Sequence, residues 1–306
     1  MNEVVRKINI DNRTIRLTKP DNYSFAECNK FLDRGYDDCL YTLEENRVLK
    51  PLKFHGKKTL ISVSDDADNL VVEVLLGDLR RDELKKVGRF VSLWFDLERN
   101  LKPFYQLLNQ DERLSYMVER YHGLRLMGIP DLFEAMCWCV IGQQINLSFA
   151  HSVKRQLVEK YGSYLKYEGQ RHYLFPKPEI LAGLSVEALR ELQFSRRKAE
   201  YTIGIARQFA EGMLSKSALV EMENTEQMLS TLLDVRGVGP WTANYVLMKS
   251  LQRPDCITYG DTGLQSSLSA LLGLDRKPTS EEVESFFDPF SGWESYLNIY
   301  LWRSLH

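Results

Sequence analysis

The chain has 306 residues, 44% of them hydrophobic, 27% charged, with a net charge of −2. That length predicts more than one core, and no run approaches the roughly 18 apolar residues of a membrane span. A slightly acidic total argues against diffuse electrostatic binding of nucleic acid, so any such binding must be local.

The start, MNEVVRKINIDNRTIRL, alternates polar and apolar residues and lacks the apolar run of a signal peptide. Strand-like runs follow at Arg13–Leu17, Leu60–Val63 and Leu70–Leu75, separated by turn signals at Lys19–Asn22, His55–Lys57 and Asp65–Asn69. Helices are predicted at about 23–33 and 80–95, giving an antiparallel sheet with a helix layer over residues 1–110. From about 111 apolar residues recur at helical spacing, as in Phe133, Cys137, Val140 and Ile141, or Val153, Leu157, Val158 and Tyr161. Residues 111–306 therefore read as an all-α body. The five cysteines match no zinc module and no four-cysteine cluster, which predicts reduced thiols in a cytosolic protein and no iron–sulfur cluster.

Met228, Leu229, Leu232 and Leu233 stripe a helix that ends at Val235-Arg236-Gly237-Val238-Gly239-Pro240-Trp241-Thr242-Ala243-Asn244-Tyr245. Gly237 and Gly239 permit close backbone approach, Val238 can plug into the core, and Pro240 suits the first position of a second helix. Free N–H groups at that helix start form an anion site without side-chain charge. A bare Gly-x-Gly between helices is also the pattern of a simple tight turn. Trp241 and Tyr245, at i and i+4, share one helix face, either in a core or lining a pocket.

Beyond that helix lies Thr258-Tyr259-Gly260-Asp261-Thr262-Gly263-Leu264. Asp261 precedes an apolar-periodic helix, so it reads as an N-cap or as a functional carboxylate. Upstream, Phe133 to Asn146 contains Gly142-Gln143-Gln144 at a helix end.

These segments together resemble the helix-hairpin-helix DNA glycosylases, in particular the bacterial 3-methyladenine DNA glycosylase II (AlkA) type. The resemblance implies an α+β molecule: a TBP-like antiparallel sheet domain, then an all-α body of two subdomains flanking the active-site cleft, with the hairpin at about 225–252. Leu93-Trp94-Phe95-Asp96-Leu97 resembles the family's join between sheet and helices. Asp261 takes the position of the catalytic carboxylate, although relatives often carry an acid or Val where this chain has Gly260. Trp241, Tyr245 and Trp293 match the rings lining the base pocket. Gln144 matches the residue that fills the gap left by the flipped nucleotide. Gly237, Val238 and Gly239 match the phosphate-binding hairpin, and the carbonyls of Leu233, Val235 and Val238 would hold a structural Na+ or K+. No cofactor is implied for catalysis. The glycosylase/lyase branch places a lysine where this chain has Trp241, and Lys249, two turns on, is a poor substitute. The expected activity is hydrolytic release of alkylated purines from double-stranded DNA by a cytoplasmic monomer. A related glycosylase for oxidised or deaminated bases, or a non-catalytic DNA-binding module, are the alternatives.

Overall fold

The computed structural model describes residues 8–305 except 34, 37 and 55. The opening residues 1–7 and His55 of the His55–Lys57 turn lie outside the described residues.

In chain order the first elements are β1 (Ile8–Asp11), β2 (Thr14–Thr18), α1 (Phe25–Leu32), β3 (Thr42–Glu44), β4 (Arg47–Phe54), β5 (Lys57–Asp65), β6 (Asn69–Leu76) and α2 (Arg81–Trp94). The six strands form one antiparallel sheet ordered β1-β2-β6-β5-β4-β3. Val48, Leu60, Ile61, Val63, Leu70 and Val72 are fully buried within it. The predicted runs at 13–17, 60–63 and 70–75 are the cores of β2, β5 and β6. Strand β4 is absent from the sequence reading because Pro51 lies mid-strand, a residue that ordinarily argues against a central strand. The structure accommodates it: β3 pairs with β4 only from Arg47 to Leu49, so Pro51 has a partner strand on one side alone, opposite Leu60.

The helices that follow are α3 (Lys102–Leu108), α4 (Tyr116–Arg120), α5 (Leu132–Gly142) and α6 (Leu147–Tyr161). A hairpin of β7 (Ser163–Tyr167) and β8 (Gln170–Leu174) interrupts the otherwise helical body, an element its short, polar strands hid. Beyond it come α7 (Pro178–Ala182), α8 (Val186–Arg190), α9 (Arg196–Ala210), α10 (Lys216–Val220), α11 (Thr225–Leu233), α12 (Pro240–Leu251), α13 (Thr262–Leu272), α14 (Ser280–Phe287) and α15 (Glu294–Arg303). Side chains of Asn146, Ser185, Ser195, Asn224 and Thr279 cap five of these helices, each accepting a backbone N–H of the first turn.

Packing divides the chain into two compact units that alternate along the sequence, rather than at one linear boundary near residue 110. One gathers Met1–Lys19, Gly35–Trp94 and Phe133–Ser215; the other gathers Pro20–Arg34, Phe95–Leu132 and Lys216–His306. The chain changes unit between Trp94 and Phe95, inside the segment expected to join sheet and helices. The first unit holds the sheet, α2, most of α5, α6 and the β7–β8 hairpin. The second is built around α15, where Tyr296, Leu297, Ile299, Tyr300 and Leu301 are fully buried. There the Tyr300 hydroxyl lies 3.2 Å from that of Tyr105 and donates to the carbonyls of Tyr121 and Leu124. Buried Arg125 donates to the carbonyls of Arg99 and Asn22, linking loops that would otherwise leave main-chain acceptors unmet. Among the described residues no helix is long and apolar enough to cross a membrane.

Candidate active site

In the hairpin, α11 buries Met228 and Leu232 but leaves Leu233 at 40% exposure, so its apolar stripe ends one residue earlier than the sequence pattern suggests. Val235 and Val238 take over below the turn, 5% and 8% exposed. Gly237 supplies the reversal with φ +95°, a conformation costly for a residue with Cβ. Gly239 caps α12 without a side-chain hydrogen bond, and a Cβ there would meet nothing within 4 Å. The first N–H groups of α12 thus stand beside open backbone, at the positive end of a twelve-residue helix. The Val235 carbonyl accepts one hydrogen bond, 3.0 Å from the N–H of Val238, and retains a second lone pair.

Helix α12 sorts its residues by face. Thr242, Ala243, Val246 and Leu247 are buried, while Trp241 and Tyr245 are half-exposed, their rings 5.3 Å apart and inclined by 32°. The pair therefore forms a wall rather than core. A third ring joins it from α15: Trp302 lies 6.0 Å from Tyr245 at 39°.

Asp261 meets these rings. It is the N-cap of α13, its Oδ1 accepting from the Leu264 N–H at 2.8 Å. The same oxygen accepts from the Trp302 indole at 2.8 Å, and Oδ2 accepts from the Trp241 indole at 3.2 Å. Cap and indole anchor are thus one residue. With two donors on Oδ1 and one on Oδ2, the open acceptor direction of this half-exposed carboxylate belongs to Oδ2. Two glycines make the geometry possible. Gly260 turns the loop at φ +79°, and a Cβ on Gly263 would approach both Asp261 Oδ1 and the Trp302 ring to 3.2 Å.

Trp293 does not belong to this cluster. At the start of α15 it stacks on Phe104 at 5.6 Å and meets Tyr296 edge-on at 5.7 Å, with the Arg99 guanidinium 6.0 Å from its ring. The third ring at the carboxylate is Trp302, two turns further along α15 and inward. The sequence held a weak signal for it, a Trp within a terminal apolar helix, with nothing to separate it from core.

Gln144 lies in the first unit, exposed in the turn between α5 and α6, at φ +56°. A left-handed conformation in a residue other than glycine is strained by about 1–3 kcal/mol and concentrates at functional turns. Beside this turn opens a cleft of about 350 Å³, whose apolar wall includes Ile141, Ile145, Phe149 and Phe194. Lys249 is 5% exposed; its ammonium donates to the Met127 carbonyl and lies 5.1 Å from the Phe31 ring.

The sequence profile of the HhH-GPD superfamily of base excision DNA repair proteins matches residues 137–291, which span the Gln144 turn, the hairpin and Asp261. The chain belongs to the HhH-GPD superfamily. The profile of the 8-oxoguanine DNA glycosylase N-terminal domain matches residues 27–136. A DNA-3-methyladenine glycosylase of Bacillus subtilis is 38% identical over 298 residues, covering 96% of this chain and 98% of the relative. Among solved HhH-GPD folds, a 3-methyladenine DNA-glycosylase from Archaeoglobus fulgidus superposes with a TM-score of 0.81 at 23% identity, covering 94% of this chain and 97% of its own. An 8-oxoguanine glycosylase/lyase of Clostridium acetobutylicum in complex with double-stranded DNA gives 0.76 at 18% identity, covering 99% and 98%. Trp302 lies beyond the stretch that the superfamily profile matches, so that profile does not mark it.

Proposed function

We propose that this HhH-GPD protein is a monofunctional DNA glycosylase that flips alkylated purines, of the 3-methyladenine and 7-methylguanine type, out of duplex DNA and hydrolyses their N-glycosidic bond. The observation that carries the reading is the Asp261 carboxylate, held by two indole N–H groups at the edge of an aromatic wall. Cleavage builds positive charge on the deoxyribose, and an oriented carboxylate beside C1′ stabilises it. Oδ2, with its remaining lone pair, would face the sugar or orient the attacking water. Half-exposed Trp241 and Tyr245 present electron-rich faces, with buried Trp302 beside Tyr245, and a cationic alkylated purine gains about 0.5–2 kcal/mol per stacked ring. This preference answers to lesion charge rather than to one pattern of hydrogen bonds. The base must leave the stack for its C1′ to be reached, and exposed Gln144 would fill the space it vacates.

Gly237, Val238 and Gly239 would hold a phosphate through backbone donors, consistent with a net charge of −2. A Na+ or K+ on the carbonyls of Leu233, Val235 and Val238 would brace the turn, and the spare lone pair of Val235 suits that role. The enzyme would act as a monomer in the cytoplasm and leave an abasic site.

A second reading, removal of an oxidised purine, is favoured by the profile match over 27–136. Against it stands an indole where the lyase branch would need an amine, with the Lys249 amine donated to Met127 instead. Excision assays on duplexes containing 3-methyladenine, 7-methylguanine, hypoxanthine, ethenoadenine or 8-oxoguanine decide between them. The expected order places the cationic methylpurines first, and dominant release of 8-oxoguanine would overturn it.

A further inference from the structure

The sheet of the first unit carries an arrangement of charge that the glycosylase reading leaves unexplained. Strands β4 and β5 place Lys53 directly opposite Lys58, and the β7–β8 hairpin places Lys166 directly opposite Arg171. Directly opposed residues on antiparallel strands share a face, and like charges there destabilise the pair. The Lys58 ammonium donates to the Tyr164 carbonyl at 3.3 Å, which draws the two strand pairs together. Lys177 adds a further ammonium within hydrogen-bonding reach of Lys53, whose pKa this neighbour lowers. Among the described residues none of these five cations has a carboxylate within 4.0 Å. Glu179 lies in the field of Lys53 and Glu159 in that of Arg171, but Glu159 is paired with Arg155 at 3.2 Å. On the hairpin face, Tyr164 is 41% exposed, its ring 5.8 Å from that of Tyr173 and 4.8 Å from the Arg171 guanidinium.

We propose that Lys53, Lys58, Lys166, Arg171 and Lys177 form a second DNA-contacting surface that binds the phosphate backbone of the duplex away from the lesion. It rests on the reading that the substrate is duplex DNA. The argument is one of compensation. A chain of net charge −2 concentrates four unpaired cations on adjoining strands, with Lys177 at the start of α7 as a fifth, and tolerates two opposed like-charged pairs. Only a polyanion relieves all of them together, and phosphates at the spacing of a nucleic-acid backbone do so. Lysine and arginine contacts of this kind carry no sequence information, as a surface outside the base pocket requires. Tyr164 and Tyr173 add hydroxyls able to donate to phosphate oxygens.

The test uses the full-length protein and undamaged duplexes of about 12 and about 40 base pairs, so that it reads this surface independently of which lesion is excised. The variant is Lys53→Gln with Lys166→Gln and Lys177→Gln, all at exposed positions. Each neutralised phosphate contributes about 0.9 to the slope of log affinity against log salt. The variant is therefore expected to lose roughly tenfold in affinity for the long duplex at low salt, with a slope smaller by about 2–3. The short duplex, which offers fewer phosphates, should change less. Relief of the opposed charges should also raise its Tm. The matching triple substitution to arginine should keep wild-type affinity. Equal affinity and slope for the Gln variant and wild type on the long duplex would overturn the proposal. So would equal losses on both duplexes, or failure of the arginine variant to retain binding.

Discussion

Asp261 caps α13 and is the proposed catalytic carboxylate, and substitution can separate the two roles. Asp261→Asn keeps an N-cap oxygen for the Leu264 N–H, so α13 should remain capped. The anion proposed to stand beside C1′ is lost. The expected result is a folded protein with excision reduced at least a thousandfold, roughly the loss of a principal electrostatic stabiliser, and with near-normal affinity for abasic-site DNA. Retention of a tenth of the wild-type turnover would remove Asp261 from the reaction. Trp293, the N-cap of α15, and Trp302 within that helix offer a sharper contrast. Trp302→Phe keeps a ring beside Tyr245 but removes the 2.8 Å indole donor to Oδ1. With the carboxylate less firmly oriented, turnover should fall roughly ten- to a hundredfold. Trp293→Ala removes a ring that stacks on Phe104 and should cost up to about 3 kcal/mol of stability, as losses of aromatic packing do. Excision per folded molecule should be retained. Comparing Tm and single-turnover rates for the two variants checks the assignment, and the reverse pattern would return Trp293 to the pocket.

At the scale of elements, the proposed hydrolytic chemistry turns on what α12 presents at its first turn. An indole occupies Trp241 and the only lysine of the helix points its amine at Met127, so borohydride should trap no covalent protein–DNA adduct. An adduct in the wild type would refute hydrolysis by water alone. The α5–α6 pair makes a different prediction. Lys154 of α6 is buried between Asp38, at 2.9 Å, and Glu134, at 3.8 Å. Burial pushes the Asp38 carboxyl up, but Lys154 overrides it and holds it below its usual 3.8. Burial pulls the Lys154 ammonium down, and Asp38 and Glu134 more than offset that, raising it above 10.5. The depressed acid contributes stability present above pH 3.8 that is lost as pH falls through its lower folded value. The raised amine contributes stability present below pH 10.5 that is lost as pH climbs past its higher folded value. Lys154→Met should destabilise the protein by about 3–5 kcal/mol at neutral pH by stranding the acids. It should also flatten the acid limb of the stability profile, as followed by urea unfolding from about pH 2 to 7. Much of this architecture was legible in the sequence, for physical reasons. Gly237, Gly239 and Pro240 fix a turn through local backbone constraints, and the alternation in β6 declares a half-buried strand. Strand β4 was hidden because the tolerance of Pro51 depends on how short its neighbour β3 is, which no local pattern records. Trp302 was hidden because its indole reaches Asp261 across 41 residues, and only folding brings the two together.

For the whole molecule, the question is how a slightly acidic protein holds a polyanion. In the proposed complex the hairpin would supply backbone donors and a helix dipole, which neutralise little charge on their own and release few counterions. If this were the whole interface, the slope of log affinity against log salt would stay near 1–2 for any duplex length, since each neutralised phosphate adds about 0.9. The five unpaired cations of the first unit change that expectation. A long duplex that engages them all should bind with a slope on the order of 5–7, whereas a short one, with fewer phosphates to offer, should show a shallower dependence. Even the larger figure stays below the 8–10 of strongly basic DNA binders, because the chain apart from these five cations is net negative. Titrations of abasic-site duplexes of increasing length, at salt from about 50 to 200 mM, should therefore show the slope rise with length. A slope independent of length would confine recognition to the hairpin and the aromatic pocket. A slope near 10 at every length would mean that a basic surface other than these strands dominates binding.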